Sequence, residues 1–188
     1  FEDIVSSAKK TVAALQANEH PDVIVGLFHS GWDGGITTPN YVEDASKKVA
    51  EEVDGFDVVF FGHDHKPRNT TVTNKNGKEV LCLDPANNAQ KVAVATITLS
   101  PAKEKAKNGK RFNVIKKSGE VVNVTDLAID EPFMAHFENE INEVKGWANT
   151  EIGRFENTIS TKDCFFGNSA FNDLILNLEL QITKADIA

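Results

Sequence analysis

Two short apolar runs, each closed by a polar loop bearing histidine, constrain the fold of this chain more than any other feature. Val23-Ile-Val-Gly-Leu-Phe28 passes into His29-Ser-Gly-Trp-Asp-Gly-Gly35, and Asp57-Val-Val-Phe-Phe61 passes into Gly62-His63-Asp64-His65. A continuous apolar run without alternation is what a strand covered on both faces requires. Between them, residues 42–53 keep a helical period through Val42, Ala45, Val49 and Val53. Before them, residues 3–18 do the same through Ile4, Val5, Ala8, Val12 and Leu15, with Asn18 and Pro21 as the stop. Strand, loop, helix and strand form an α/β unit. Its polar loops leave the C-terminal strand ends, where such sheets bind ligands.

Further along, the β-rich runs shorten: Val80–Leu83, Val92–Leu99, Arg111–Ile115 and Val121–Val124. Lys117-Ser118-Gly119-Glu120 reads as a hairpin turn between the last two, giving an antiparallel layer that completes the sheet system. Residues 101–110 read as a solvated, lysine-rich loop. Residues 132–149 form a long amphipathic helix that starts at Pro132 and carries Phe133, Phe137, Ile141, Val144 and Trp147 on one stripe. A short strand at 152–155, a loop at Gly167-Asn168-Ser169 and a helix from 170 to about 183 follow. The fold class is therefore α/β (α+β). The 188 residues fit one domain plus part of another. The chain opens on Phe1, inside a helical pattern, and reads as cut from a longer protein.

The net charge of −8 argues against binding a nucleic-acid polymer. It leaves room for a small phosphate ester, which needs only a local positive centre such as a metal ion. No run is long and apolar enough to span a bilayer, and no signal peptide is visible. Cys82 and Cys164 read as two buried thiols, and their spacing alone argues for no disulfide.

Three of the five histidines, His29, His63 and His65, sit in the two strand-end loops. Neutral imidazole is a common metal ligand, and histidine clusters mark metal or catalytic sites. Spaced i, i+2, His63 and His65 point different ways and can each reach one ion of a close pair, with Gly62 allowing tight backbone geometry. Two-metal sites hold their ions about 3.5–4 Å apart and clamp a phosphoryl group.

The run Val25-Gly-Leu-Phe-His29-Ser-Gly31 resembles the His-x-Gly block of calcineurin-like metallophosphoesterases, and Asp57-Val-Val-Phe-Phe-Gly62-His63-Asp-His65 resembles their Gly-His-x-His block. Asp163-Cys-Phe-Phe-Gly167-Asn-Ser-Ala-Phe-Asn-Asp173-Leu-Ile and Gln181-Ile-Thr-Lys-Ala-Asp186-Ile resemble the opening of the second domain of bacterial 5'-nucleotidases and 2',3'-cyclic-nucleotide 2'-phosphodiesterases. The resemblance implies the C-terminal half of a metallophosphoesterase β-sandwich flanked by helices at 1–130, a linking helix at 131–150, and a truncated start of the nucleotidase substrate domain at 151–188. It implies two divalent metal ions, such as Mn, Zn or Fe. His29 and His63 would be on one ion and His65 on the other, with a bridging hydroxide attacking phosphorus. It implies a nucleotide or cyclic-nucleotide substrate and a periplasmic or cell-surface parent.

The sequence departs from that pattern upstream. The family's Asp-x-His, Gly-Asp-x-x-Asp and Gly-Asn-His-Asp/Glu blocks are not found, and His20-Pro21-Asp22 has the wrong order. The expected piece thus carries no catalytic acid/base histidine and is inactive alone, and its substrate-binding residues cannot be named. Trp32 reads as packing beside the loop, and Asp33 as a residue that can reach substrate. Asn87 and Asn88 read as turn residues and His136 as a surface or packing residue. Asn168 reads as turn chemistry and Asp173 as a structural contact. Two other readings remain: a non-catalytic binding or scaffold domain on this fold, and a metallophosphoesterase for another phosphate ester. Exposed apolar faces on an incomplete piece make artificial dimers an expected hazard.

Overall fold

A computed structural model describes residues 2–102 and 109–188. The chain divides into two compact units, Phe1–Ala128 and Ile129–Ala188.

In the first unit, helix α1 spans Ile4–Asn18. Asp3 caps it by accepting the Ser6 N–H at 2.8 Å, and Val5, Ala8 and Val12 form its buried stripe. Strand β1 covers Val25–His29. Strands β2 (Gly34–Thr38) and β3 (Tyr41–Asp44) make a small antiparallel hairpin. Helix α2 is Ser46–Glu52, and β4 is Val58–Gly62. Strands β5 (Arg68–Thr73) and β6 (Glu79–Asp84) follow, then two long strands, β7 (Lys91–Pro101) and β8 (Phe112–Asn123).

The main sheet has the order β1-β4-β6-β5. The first three strands are parallel, and β5 is antiparallel to β6. Its central strands are buried because both faces are covered. On one face, Val59, Phe61, Val80 and Cys82 pack with Val5, Ala8, Val12, Val49, Ala50 and Val53 from the two helices. On the other, Val58, Leu81 and Leu83 meet Ala93, Ala95 and Ile97 of β7. This double cover explains the unbroken apolar runs of β4 and β6.

Several expectations need correction. The helix expected over 42–53 is confined to Ser46–Glu52, because residues 41–44 pair with 34–38 as a strand. No turn exists at 117–120. Lys117, Ser118, Gly119 and Glu120 run through one continuous strand, paired in order with Ile97, Thr96, Ala95 and Val94. A serine–glycine pair signals a turn only when the partner strand is local, and here a longer antiparallel partner overrides it. Strand β5 was not expected, because its threonines alternate in burial at the sheet edge and form no apolar run. The loop expected over 101–110 lies largely outside the described residues. Of its lysines, Lys110 is described, and its Nζ donates to the Asp22 carbonyl at 2.9 Å.

In the second unit, the single helix expected over 132–149 is two helices, α3 (Glu131–His136) and α4 (Glu138–Ala148), separated at Phe137. Asp130 caps the first by accepting the Phe133 N–H at 3.0 Å. No strand forms at 152–155. A 3₁₀ turn at Thr161–Phe165 precedes helix α5 (Ala170–Thr183), capped by Ser169. The residues of this unit show no fully buried apolar side chain among those described.

Candidate metal centre

The parallel register between β1 and β4 decides which side chains meet. His29 is the last residue of β1 and pairs with Gly62, the last residue of β4. His63 therefore emerges beside His29. Its Nδ1 lies 3.3 Å from His29 Nε2, and the rings meet edge to face with centroids 5.1 Å apart. Tetrahedral ligands at 2.0–2.1 Å from one ion lie about 3.3 Å from each other, so the two imidazoles fit a pair of donors to a single ion. His65 is exposed. Among the described residues, no hydrogen bond or ring contact joins it to the other two histidines.

No group of three or more His, Cys, Asp or Glu side chains able to hold a metal ion occurs among the described residues. Among the described residues, two imidazoles fit as donors to one ion, and the side chains present do not by themselves make up a two-ion centre.

The backbone here is strained where glycine freedom was expected one residue earlier. Gly62 is extended in the ladder, and the positive φ falls on His63 (116°) and His65 (59°). Non-glycine residues enter this region at a cost and mainly where their surroundings hold them.

Asp64, between them, supplies much of that hold. Its Oδ1 accepts the Lys66 N–H at 3.0 Å, and its Oδ2 accepts the Trp32 N–H at 3.1 Å. The second bond ties the His63–His65 loop to the loop that follows His29. Burial alone would raise the Asp64 pKa, but these two N–H donors outweigh it and hold the carboxyl below its ordinary range.

The loop after His29 is anchored from its other side. Ser30 Oγ donates to the Glu43 carbonyl at 2.6 Å and accepts the Ala45 N–H at 2.9 Å. Asp44 Oδ1 accepts the Gly31 N–H at 2.7 Å. Glu43 Oε1 lies 3.0 Å from His63 Nε2, and its Oε2 accepts the Ile36 N–H at 2.8 Å. The Ile36 N–H and then His63 keep the Glu43 carboxyl below its usual range.

Behind the loops, Asp84 is fully buried, and burial followed by the Asp64 charge pushes its pKa up. Its Oδ1 accepts the Ala86 N–H at 2.6 Å, while Oδ2 and the nearby Arg68 Nε have no hydrogen-bond partner among the described residues. Arg68 lies over the Trp32 ring at 4.7 Å.

Trp32 is half-buried, stacked on Phe61 at 5.3 Å, in the packing role expected of it. Asp33 is exposed, 3.9 Å from Lys47. Asn87 and Asn88 lie in the turn after β6, with Asn88 at φ 60°. His136 is exposed, its ring edge-on to Phe137. Asn168 is exposed just before α5, and the Asp173 carbonyl accepts from Asn177. Both cysteines are free. Cys82 is buried, and burial pushes its thiol up to about 12, whereas Cys164 is only half-buried, 3.1 Å from Ser169 Oγ.

A concavity of about 520 Å³ borders Ile24, Asp57 and Glu79. These lie at the N-terminal ends of β1, β4 and β6, opposite to the histidines.

Sequence reasoning missed Glu43, Asp44, Ser30, Asp64 and Asp84. Only Asp64 carried a signal, its place between two histidines.

No family profile matches the chain, and no curated protein matches it. Solved structures do. The calcineurin-like phosphoesterase YfkN from Bacillus subtilis superposes with a TM-score of 0.63 at 19% identity, over 79% of this chain and 46% of that one. A 5'-nucleotidase precursor from Thermus thermophilus superposes with a TM-score of 0.55 at 20% identity, over 98% of this chain and 36% of that one. The fold is that of calcineurin-like phosphoesterases and 5'-nucleotidases. The chain spans less than half the length of either structure. Within this phosphoesterase fold, the His29–His63 pair sits at the C-terminal ends of adjacent parallel strands, where open α/β sheets bind ligands.

Proposed function

We propose that this chain is part of a metal-dependent phosphoesterase acting on nucleotide phosphate esters, as a 5'-nucleotidase or a 2',3'-cyclic-nucleotide 2'-phosphodiesterase. The observation that carries this reading is the His29–His63 pair, 3.3 Å apart at two parallel strand ends of a phosphoesterase fold. His29 and His63 supply one divalent ion with two nitrogens, and His65, on the next bend, serves a second ion. Residues outside this segment complete both coordination shells, so the segment alone does not turn over substrate. Residues 1–130 form part of the phosphoesterase domain, 131–150 link it onward, and 151–188 begin the C-terminal substrate domain. The likeness to a 5'-nucleotidase precursor favours an exported parent.

The test is manganese-dependent hydrolysis of 2',3'-cyclic AMP and 5'-AMP by the longer protein that contains this segment, beside its His63→Ala variant. Removing a metal-bound imidazole exceeds the 10–100-fold cost of removing its outer-shell partner, so turnover is expected to fall by more than about a hundred-fold. The substrate ratio then separates nucleotidase from diesterase. Undiminished turnover in the variant overturns the reading. One observation favours a non-catalytic binding domain instead: no three-donor group exists among the described residues. That alternative predicts no divalent-ion binding by the longer protein.

A further inference from the structure

The metal reading leaves one carboxylate unexplained. Glu43 stands on the exposed β2–β3 hairpin, which contributes nothing to the sheet or to its two buried clusters beyond the half-buried Val42. Yet both Glu43 oxygens are engaged, one by the Ile36 N–H within the hairpin and one by His63 across the loop. The hairpin is tied down at its base through Ser30, which donates to the Glu43 carbonyl.

We propose that Glu43 is a positioning residue that holds His63 in the tautomer with hydrogen on Nε2, so that the Nδ1 lone pair faces His29 and the space an ion would occupy. The inference rests on the metal reading for its purpose but not for its chemistry. A carboxylate only accepts hydrogen bonds. With Oε1 at 3.0 Å, Nε2 must therefore be the protonated nitrogen in neutral His63. Nδ1 is then the free base, and it is the nitrogen that stands 3.3 Å from His29 Nε2. Carboxylates in this relation to a ligating histidine fix its tautomer and raise its basicity. The Ile36 N–H fixes the carboxylate in turn, so the ring is aimed through a chain of two hydrogen bonds.

The isosteric Glu43→Gln variant separates this from a merely structural role. A glutamine has one oxygen, and the Ile36 N–H claims it, so its NH₂ group faces His63. An NH₂ donor requires a lone pair on Nε2, which moves the hydrogen to Nδ1.

The experiment is ¹⁵N NMR of the imidazole rings at mildly alkaline pH on the 188-residue chain, with cobalt(II) titration as a second readout. The expected wild-type His63 is the Nε2–H tautomer, Glu43→Gln shifts it to Nδ1–H, and cobalt affinity falls about 10–100-fold. A Glu43→Ala variant is expected to show a mixture of tautomers. If wild-type His63 is Nδ1–H, or if both variants keep the wild-type tautomer, the proposal is overturned. A tautomer set by Glu43 supports the positioning role whether or not the 188-residue chain, with two imidazoles toward one ion, retains cobalt. The metal reading falls instead if the longer protein binds no divalent ion.

Discussion

Gly31 is crowded by Asp44 at the end of β3 and by Asp64 in the loop after β4. A Cβ placed there would lie 2.5 Å from Asp44 Oδ1 and 2.9 Å from the Asp64 side chain, both already committed to backbone hydrogen bonds. Gly31→Ala therefore forces these neighbours apart, with an expected loss of about 1–3 kcal/mol in chemical denaturation. Asp84 behaves differently. It is an acid that burial, and then Asp64, disfavours as an anion, so its folded pKa lies above the unfolded one. The folded state binds its proton more tightly, and that contribution is present in acid. It is lost as pH rises through the folded pKa. Asp84→Asn removes the penalty and offers the unpartnered Oδ2 position a donor facing Asp64. The variant is expected to be more stable than wild type at neutral pH, with the difference closing in acid, as read from denaturation midpoints across pH. The histidines of this site were legible because imidazoles at strand ends announce themselves. Glu43 and Asp84 were not, because an acidic residue in a hairpin or at a strand end is ordinary until the register shows what it faces.

At the scale of elements, the buried strands β1, β4 and β6 could be read directly, since continuous apolar runs have few other uses. The strands that were misread, β5 and β8, pair with their neighbours in sequence but carry no continuous apolar run. β8 holds a serine–glycine pair that mimics a turn, and β5 is polar on its open face. Gly119 explains why β8 tolerates that pair. A Cβ there would lie 2.6 Å from Leu83 Cδ2 and 2.8 Å from Asn69 Oδ1, so the bare backbone lets β8 lie against the main sheet. Asn69 Nδ2 donates to the Gly119 carbonyl at that point. Gly119→Val is expected to destabilise the first unit by about 1–3 kcal/mol through overpacking, visible as a lower urea midpoint. Leu83→Ala, which empties a fully buried site on the same face, is expected to cost about 2–5 kcal/mol. Of the two, only the glycine variant should also disturb the hydrogen bond to Asn69, whose side-chain amide resonance reports it.

The two units of the molecule differ in what holds them. Every buried apolar side chain identified lies in the first unit, in clusters that sandwich the sheet between two helices and a hairpin. In the second unit, Trp147, Ile152, Phe165 and Phe166 are exposed to 81%, 100%, 86% and 91%; side chains cap α3 and α5, and α4 has no side-chain cap. Helices of this length are marginal in water without a buried face, since most helical stability in proteins comes from packing. Opening of residues 129–188 should therefore cost far less than global unfolding, while the sheet opens only with it. Hydrogen exchange is the direct measure. Amides of β4 and β6 should exchange through global unfolding, with a denaturant dependence matching that of the whole unit. Amides of α4 and α5 should exchange orders of magnitude faster and show little such dependence. Protection of α5 equal to that of β6 would mean that the second unit has a source of stability besides its local hydrogen bonds. Self-association through those aromatic faces would be the first source to look for, and a concentration series would reveal it as protection that rises with protein concentration.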